Sequence, residues 1–526
     1  MAVAAAAVPV YPNRALGSLV LGASLQSTLS RLKAQPQLYP DIDLLYSRSE
    51  PLRVPVVLSL PKNGLRLRFD GPDQRLRLVE VVDFSKCRLS YKSTDIVRPV
   101  AQSSGLANVQ VGAGPTFRHV YHRLFGPTFP GEYIPPASSD EGTRGTYVLS
   151  YPGIAFSFPL RSSSWSSEVD FVSLLSSTAA SPAVSLAIFH GSSWSDARPT
   201  LFTQPLLSPR LPYYTGPDEI ELARVFRDGR IELVRRTTRP FWIVLGETTP
   251  QDLVAELGPP DAIYRKMDRR LSIHRSRASD AGRDLDPNVL LSSNSNSNGT
   301  AQEDDGNVRS SIGASDDEDS SDVGDARNIF TAESFYNYFS HGFDILISTS
   351  TSASVRTHTT HQGELSTTEN MAETYQGSTA TDRVTATKIL LHGNVPGSYS
   401  FNRHRRSRWS LELGSSAKRV ESLNSEMPFG DISKCMKDIY KHTYKNEEHE
   451  RSSQRGMVLN RGWGDSPGSS CELLGGWEEN AGDKRLDATS FGVDVEQGLG
   501  NTELFGFPGL IFEVLKNDSV SCLTVF

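Results

Sequence analysis

The most basic run in the chain lies at residues 402–409 and reads NRHRRSRW. Its candidate contact residues are four arginines and a tryptophan, namely Arg403, Arg405, Arg406, Arg408 and Trp409. Clustered guanidinium groups chelate phosphate oxygens, and tryptophan favours the interface between water and lipid. The pattern therefore predicts contact with an anionic lipid headgroup. The alternative is a charged strand whose alternate residues face water, and the run itself leaves both interpretations open.

Residue types that perform catalysis or bind metals are otherwise dispersed. His358 and His361 lie three residues apart, but no other ligand type is close to them, and no histidine–carboxylate spacing suggests a metal site or a general base. No serine lies in a G-x-S-x-G elbow. Gly112-Ala113-Gly114 lacks the third glycine of a phosphate loop, and Pro115 stands where a helix amide should face phosphate. The sequence thus predicts no catalytic residue, no metal, no cofactor and no small-molecule substrate. Because catalytic groups can assemble from distant positions, an unrecognised enzyme is a remote alternative.

The elements that must position these residues follow a repeated order. In the clearest copy, Thr249 is suited to cap a helix that Pro250 begins, and Leu253 and Leu257 lie on its apolar stripe before Gly258. Looser copies begin near Ser24, Thr116 and Phe429. Each helix is followed downstream by a glycine, an alternating apolar strand and a second strand; the glycines are Gly64, Gly153, Gly342 and Gly509. This predicts an α+β fold of repeated units, each a short helix packed on antiparallel β-strands.

Four such units are predicted after a flexible N-terminal tail. The tail covers residues 1–15, and the units cover residues 16–111, 112–240, 241–410 and 411–526. The third unit is interrupted by an acidic insertion at 279–327, predicted to be disordered, and by a Ser/Thr-rich loop at 349–385. The fourth unit contains a polar insertion at 444–502. Serines in the acidic insertion suit an acid-directed kinase, although such segments often serve only solubility.

Composition excludes several classes of protein. The 526 residues have a net charge of -7, without the strongly basic domain that nucleic-acid binding usually requires. Four cysteines are scattered without a C-x-x-C pair, so neither a zinc site nor a disulfide framework is indicated, and a reduced intracellular compartment is expected. No apolar stretch approaches the length of a membrane span, so any membrane contact is expected to be peripheral.

Several segments, in order along the chain, resemble one protein family. They include NGLRLRFDGPDQRLRLVEVVD from Asn63, GPTFRHVYHRLFGPTFPGEY from Gly114 and LGETTPQDLVAELGPPDAIYRK from Leu245. The family they resemble is the phagosome assembly factor 1 family, formerly uncharacterised protein family 0183.

The resemblance implies a non-enzymatic cytoplasmic protein of macroautophagy. It implies peripheral recruitment to the forming autophagosome, at the phagophore assembly site, together with a β-propeller partner that recognises phosphoinositides. We therefore expect a scaffold or adaptor that joins this partner to a phosphoinositide-bearing membrane, with direct lipid contact left open. The alternative is a trafficking factor of the Golgi or trans-Golgi network.

Overall fold

The structure is a computed structural model. It describes residues 7–98, 114–136, 144–203 except 167, 218–265, 333–349, 383–413, 423–448 except 442, 445 and 447, 455–460 and 501–526. The predicted acidic insertion lies outside these residues, as do most of the Ser/Thr-rich loop and most of the polar insertion. Apart from Arg265 and Glu333, all described residues belong to one compact unit.

The first half of this unit combines a small sheet with a large one. Its strands are β1 Val8–Tyr11, β2 Ala15–Leu16, β3 Leu19–Val20, β4 Asp43–Leu45, β5 Val56–Leu60, β6 Leu65–Phe69, β7 Leu76–Val81, β8 Leu89–Tyr91, β9 Thr94–Asp95, β10 Glu132–Ile134, β11 Arg144–Tyr151, β12 Ile154–Arg161 and β13 Ser185–Phe189. Its helices are α1 Leu25–Lys33, α2 Phe117–His119, which continues as a π-turn over Val120–Leu124, α3 Phe171–Ser176 and α4 Trp194–Ala197.

The second half has the same kinds of element. Its strands are β14 Ile220–Phe226, β15 Arg230–Arg235, β16 Phe241–Val244, β17 Ala262–Arg265, β18 Ser334–Tyr338, β19 Phe343–Thr349, β20 Val384–His392, β21 Trp409–Glu412, β22 Leu423–Asn424, β23 Met457–Asn460, β24 Asn501–Phe507, β25 Leu510–Leu515 and β26 Val520–Val525. Its helices are α5 Pro250–Leu257 and α6 Phe429–Tyr440.

The two halves share one topology, strand for strand. The small sheets have the orders β3-β2-β1-β8-β9 and β16-β15-β14-β21-β22, and the large sheets have the orders β10-β11-β12-β13-β7-β6-β5-β4 and β23-β24-β25-β26-β20-β19-β18-β17. In each small sheet the central pairing is parallel, β1 with β8 and β14 with β21. The chain therefore contains a structural repeat of two halves, which the sequence analysis did not identify.

Within each half, a helix followed by four antiparallel strands occurs twice. The helices of the four copies are α1, α2, α5 and α6, so the predicted α+β fold of repeated helix-plus-sheet units is confirmed. The glycine before the third strand of every copy has a left-handed backbone, with φ of 64° at Gly64, 74° at Gly153, 92° at Gly342 and 76° at Gly509. Only glycine adopts this conformation without steric cost, which explains why the same residue punctuates all four copies.

Strand pairing groups these copies two by two. In the first half β7 pairs with β13, and in the second half β20 pairs with β26, so each large sheet spans two of the predicted units. The four unit boundaries themselves stay a prediction. The predicted flexible tail is wrong for Val8–Tyr11, because this segment is β1, the central strand of the first small sheet, and Val10 is buried.

Local sequence explains how the helices begin. The Ser24 and Thr116 side chains accept backbone N–H groups in the first turns of α1 and α2, and Thr249 forms a reciprocal capping box with Asp252 at α5. Helix α6 follows Pro428, and its first turn is capped from another element, because the Asp518 carboxylate accepts the Gly430 N–H. Each half has its own extensive apolar core beneath these helices.

The close packing around Gly342 generates a stability prediction. At Gly342 a Cβ atom would lie 2.4 Å from the Arg405 carbonyl oxygen, whereas at Gly246, with φ of 84°, it would meet nothing within 4 Å. Gly342→Ala should therefore lower the free energy of unfolding by about 3 kcal/mol, from backbone strain plus overpacking, and Gly246→Ala by about 1 kcal/mol, from strain alone. Urea denaturation of both variants checks this, and equal losses would contradict the packing argument.

Candidate functional site

The basic run 402–409 is mostly inside the protein. Arg405, Arg406 and Trp409 are 7%, 4% and 1% exposed. The prediction that these three residues contact lipid is wrong, because a membrane surface cannot reach side chains that the fold encloses. Arg403 is partly exposed, and the Arg408 side chain is 36% exposed. For Arg403 and Arg408, lipid contact stays a prediction.

Trp409 shows why the run enters the interior. It begins β21, which pairs in parallel with β14, and its ring packs edge-on against Phe512 with centroids 6.0 Å apart. A tryptophan in this place is part of the core of the second half. A run of basic residues does not indicate whether the tryptophan that follows it is buried. The sequence therefore did not distinguish a core position for Trp409 from an interfacial anchor.

Arg406 connects the two halves through backbone carbonyls. Its Nε donates to Pro72 O at 2.7 Å, its Nη1 to Gly393 O at 2.7 Å and its Nη2 to Ser425 O at 3.1 Å. Pro72 belongs to the β6–β7 turn of the first half, while the other two carbonyls belong to the second half. Burial lowers the pKa of Arg406 to about 10, so the guanidinium stays charged at neutral pH and all three hydrogen bonds are charge-assisted.

Further polar contacts join the same two segments. Gln74 and Asn394 are joined by two hydrogen bonds: Gln74 Nε2 donates to the backbone carbonyl of Asn394 and Asn394 Nδ2 donates to Gln74 Oε1, both at 2.8 Å. Arg408 Nη1 donates to Asp73 Oδ1 at 2.6 Å, and Arg408 Nε donates to Glu426 Oε1 at 2.8 Å. We call the turn of residues 70–77, the loop of residues 393–408 and the bonds between them the inter-half clamp.

A glutamate from the start of the second half adds ion pairs to the clamp. Arg75 donates to both carboxylate oxygens of Glu219, at 3.1 and 2.7 Å, and Arg236 approaches the same group at 3.4 Å. Burial alone would raise the pKa of Glu219, but the positive charges of Arg405 and Arg75 outweigh it and lower the pKa to about 2. Glu219 is therefore ionised throughout the physiological range.

A buried group of one carboxylate and two imidazoles lies where the loop of residues 393–408, here called the clamp loop, meets β19 and β20. Asp344 accepts from His392 Nε2 through Oδ2 and from His404 Nε2 through Oδ1, both at 2.9 Å. The two rings stack with centroids 3.8 Å apart and 17° between their planes. Burial opposes the charge on all three groups, yet the two histidines lower the pKa of Asp344. Cys522 and Asp344 together raise the pKa of His392, while burial and the charge of His392 lower the pKa of His404.

The sequence did not predict this group, because its members are far apart in the chain. Asp344 lies on β19, His392 ends β20 and His404 lies in the clamp loop. Strand register brings the first two together, since Asp344 pairs with Leu390 and His392 lies two residues further along the same face. A carboxylate and two imidazoles are ligand types that can hold a metal ion, so the expectation of no histidine–carboxylate site does not hold in three dimensions.

A cleft of about 310 Å³ opens beside the clamp, against β14, β21 and β22. Its charged lining residues are Arg224, Arg408, Glu412 and Glu426. Arg224 pairs with Glu232 at 3.0 Å, and Arg408 pairs with Glu426 within the cleft. Because both arginines are matched by carboxylates, the cleft presents no uncompensated positive charge to an anion.

Within the described part of the chain, no helix is both long and apolar enough to cross a bilayer.

Fold and site together define a class of protein: a duplicated α+β fold whose arginine-rich loop holds its two halves together. The sequence profile of the phagosome assembly factor 1 family matches residues 15–292 and 376–526. The chain therefore belongs to the phagosome assembly factor 1 family, as its sequence segments indicated, and that recognition is confirmed.

Individual relatives match to different extents. A PHAF1 protein of Drosophila melanogaster is 22% identical over 543 aligned positions, covering 98% of this chain and 93% of the relative. A PHAF1 protein of Arabidopsis thaliana is 36% identical over 159 residues, which are 30% of this chain and 34% of the relative. One of Caenorhabditis elegans is 27% identical over 140 residues, 27% of this chain and 28% of the relative. No solved structure matches the chain significantly.

The three carbonyl bonds of Arg406 generate a prediction on stability. Arg406→Met should lower the free energy of unfolding by about 3 kcal/mol, because three carbonyls lose a charge-assisted donor in the interior. Arg53→Met is the matched control: this side chain is 65% exposed and its ion pair to Glu50 spans 3.6 Å, so its loss should cost less than about 0.5 kcal/mol. Urea denaturation measures both, and similar costs would show that the clamp adds little.

Glu219 generates a prediction on pH dependence. Its folded pKa of about 2 lies below the ordinary glutamate pKa of 4.5, so its contribution to stability is complete above pH 4.5 and is lost as the pH falls toward 2. Wild type should therefore be more stable than Glu219→Gln at pH 6, and the difference should shrink steadily below pH 4.5. Denaturation of both proteins at matched pH values measures this difference, and a constant difference would contradict the assignment.

Proposed function

We propose that this protein is a non-catalytic scaffold in autophagosome assembly. The observation that carries the proposal is the family match, which extends over both halves of the repeat and is named for phagosome assembly. The Drosophila relative aligns over nearly the whole chain, so the match concerns the complete two-half architecture and not one shared module.

The polar side chains of the clamp already bond to other parts of the protein, which supports a binding role over a catalytic one. The arginines of the clamp donate to backbone carbonyls and to paired carboxylates, which serves the mutual position of the halves. A protein that holds two large sheets in a fixed relation offers broad surfaces and several strand edges, and such surfaces suit partner proteins.

We further propose that the membrane is reached through a β-propeller partner that recognises phosphoinositides. Of the five residues that the sequence predicts to contact lipid, three are buried, and Arg408 is neutralised by Asp73 and Glu426. A headgroup would have to break those ion pairs before it gained an arginine. Recruitment by a protein partner requires no such rearrangement.

Localisation tests the cellular role. In starved cells the fluorescently tagged chain should form puncta that overlap a marker of phagophore membranes, and cells that lack the protein should form fewer autophagosomes. A trans-Golgi marker in the same cells tests the trafficking alternative. Steady Golgi staining that starvation does not change, with normal autophagosome numbers in the absence of the protein, would overturn the proposal in favour of trafficking.

Vesicle sedimentation tests how the membrane is reached. Purified protein should not sediment with vesicles that contain phosphatidylinositol 3-phosphate, but should do so when the β-propeller partner is added. The double variant Arg403→Ala, Arg408→Ala should behave like wild type, as should the charge-matched control Arg53→Ala, Arg230→Ala. If wild type sediments alone and only the first double variant fails to, direct lipid contact replaces partner recruitment.

A further inference from the structure

The small sheet of the second half has one buried face and one face toward solvent. Ala223 and Val225 on β14 and Leu411 on β21 point inward and are 0%, 1% and 4% exposed. Because successive residues of a strand alternate between the two faces, Arg224 and Phe226 point outward. The residues that pair with them on neighbouring strands share that outward direction. We call this solvent side the outer face.

Strand register brings the outward side chains together in adjacent rows. One row consists of Asn424, Ser410, Arg224, Glu232 and Trp242, one residue from each of the five strands. At about 4.8 Å between neighbouring strands, this row crosses the sheet over roughly 19 Å. In the next row Glu412 on β21 lies directly opposite Phe226 on β14. Glu412, Phe226 and Trp242 therefore belong to one continuous surface.

Two aromatic rings on the outer face already hold a cation of the chain itself. The centroids of Phe226 and Trp242 are 5.3 Å apart, and Trp242 is 40% exposed. The Arg230 guanidinium lies over both rings, with its Cζ 5.9 Å from the Phe226 centroid and 5.6 Å from the Trp242 centroid. This is the geometry of a cation–π contact. Partly exposed tryptophans are also frequent anchors of protein interfaces.

The cleft beside the aromatic pair carries an excess of negative charge. The charged groups in it and directly against it are two guanidiniums, Arg224 and Arg408, and four carboxylates, Glu232, Asp73, Glu426 and Glu412. Among the described residues, Glu412 has no ion-pair partner and accepts only a long hydrogen bond from Ser410 Oγ, at 3.4 Å. The cleft therefore attracts a cation and repels an anion.

We propose that the outer face, with Glu412, Phe226 and Trp242, is a docking surface for a basic segment of a partner protein. An arginine or lysine of that segment enters the cleft and pairs with Glu412, and an apolar residue beside it packs on Trp242. At about 30 Å³ for each non-hydrogen atom, the cleft volume of about 310 Å³ holds one such side chain. Arginine fits best, because its planar guanidinium pairs with a carboxylate through two hydrogen bonds and stacks on aromatic rings.

Such a surface gives a scaffold a second attachment point, beside the one through which it reaches the membrane. Its charge is opposite to that of a lipid-binding site, because an acidic cleft repels anionic headgroups. Binding of a basic segment here requires neither an autophagosome nor the Golgi. The docking surface and the proposed cellular role can therefore fail separately.

The test uses the full chain and two short peptides, capped at both ends and labelled with fluorescein. One peptide alternates leucine with arginine, and its charge-reversed match alternates leucine with glutamate. In fluorescence anisotropy, wild type should bind the arginine peptide, with an affinity that falls as salt screens the charges, and should not bind the glutamate peptide. Equal affinity for both peptides, preference for the glutamate peptide, or binding of neither overturns the proposal without any variant.

Variants locate the binding on the outer face. Glu412→Gln should weaken binding of the arginine peptide by about tenfold, through loss of one charge-assisted pair, and Trp242→Ala by about fivefold or more. The matched controls are Glu50→Gln, where the side chain is 54% exposed, and Phe129→Ala, where the residue is 87% exposed. Both controls should bind as wild type does.

The variants can also overturn the assignment. Wild-type affinity in both Glu412→Gln and Trp242→Ala, at unchanged melting temperatures, would show that the peptide binds elsewhere. Equal weakening in the two controls would show that binding is not specific to the outer face. If wild type self-associates in analytical ultracentrifugation and Trp242→Ala prevents this, the occupant is a second copy of the chain and the proposal is wrong.

Discussion

The buried guanidinium of Arg406 has a backbone acceptor for each of its three nitrogens, and these three bonds hold the two halves of the protein together. Its acceptors are carbonyl oxygens of Pro72, Gly393 and Ser425. Carbonyl acceptors depend on backbone position and not on side-chain identity, so the turn after β6, the start of the clamp loop and the end of β22 must keep their paths together. The Gln74–Asn394 amide pair and the Arg408 ion pairs then follow on the same backbone frame.

The clamp loop occurs in one half only, because the equivalent connection in the other half is shorter. Val82 N donates to Gly64 O in the first half and His392 N donates to Gly342 O in the second, so Val82 and His392 occupy equivalent positions. From there the chain reaches the next strand over residues 82–88 in the first half and over residues 393–408 in the second. The longer connection brings His404 against the His392 ring, and accordingly His392 is largely enclosed whereas Val82 is exposed.

The repeated helix-plus-sheet units could be predicted from the sequence, whereas the contacts of the clamp could not, for physical reasons. Helix caps and left-handed glycines are local, so Thr249 and the glycines before the third strands could be recognised from a few letters. Strand pairing is not local. Nothing in the sequence of β7 or β20 indicates which strand it pairs with, so the grouping of four copies into two halves was not predicted. Arg406 was predicted to contact lipid because its neighbours in sequence are basic. Its acceptor Pro72 is 334 positions away, so the basic run alone does not predict that Arg406 is buried.

The same reasoning links the histidine group to the clamp. Arg405 N donates to Phe339 O and Ser407 N donates to His392 O, so the backbone on both sides of Arg406 is held to the sheet that carries Asp344. His404 adds a side-chain attachment one residue before Arg405, through Asp344. Any change that loosens His404 therefore acts first on the loop, and through the loop on Arg406 and its carbonyl acceptor in the other half. In this protein the buried group of Asp344, His392 and His404 inside one half and the contact between the halves form one connected hydrogen-bond network.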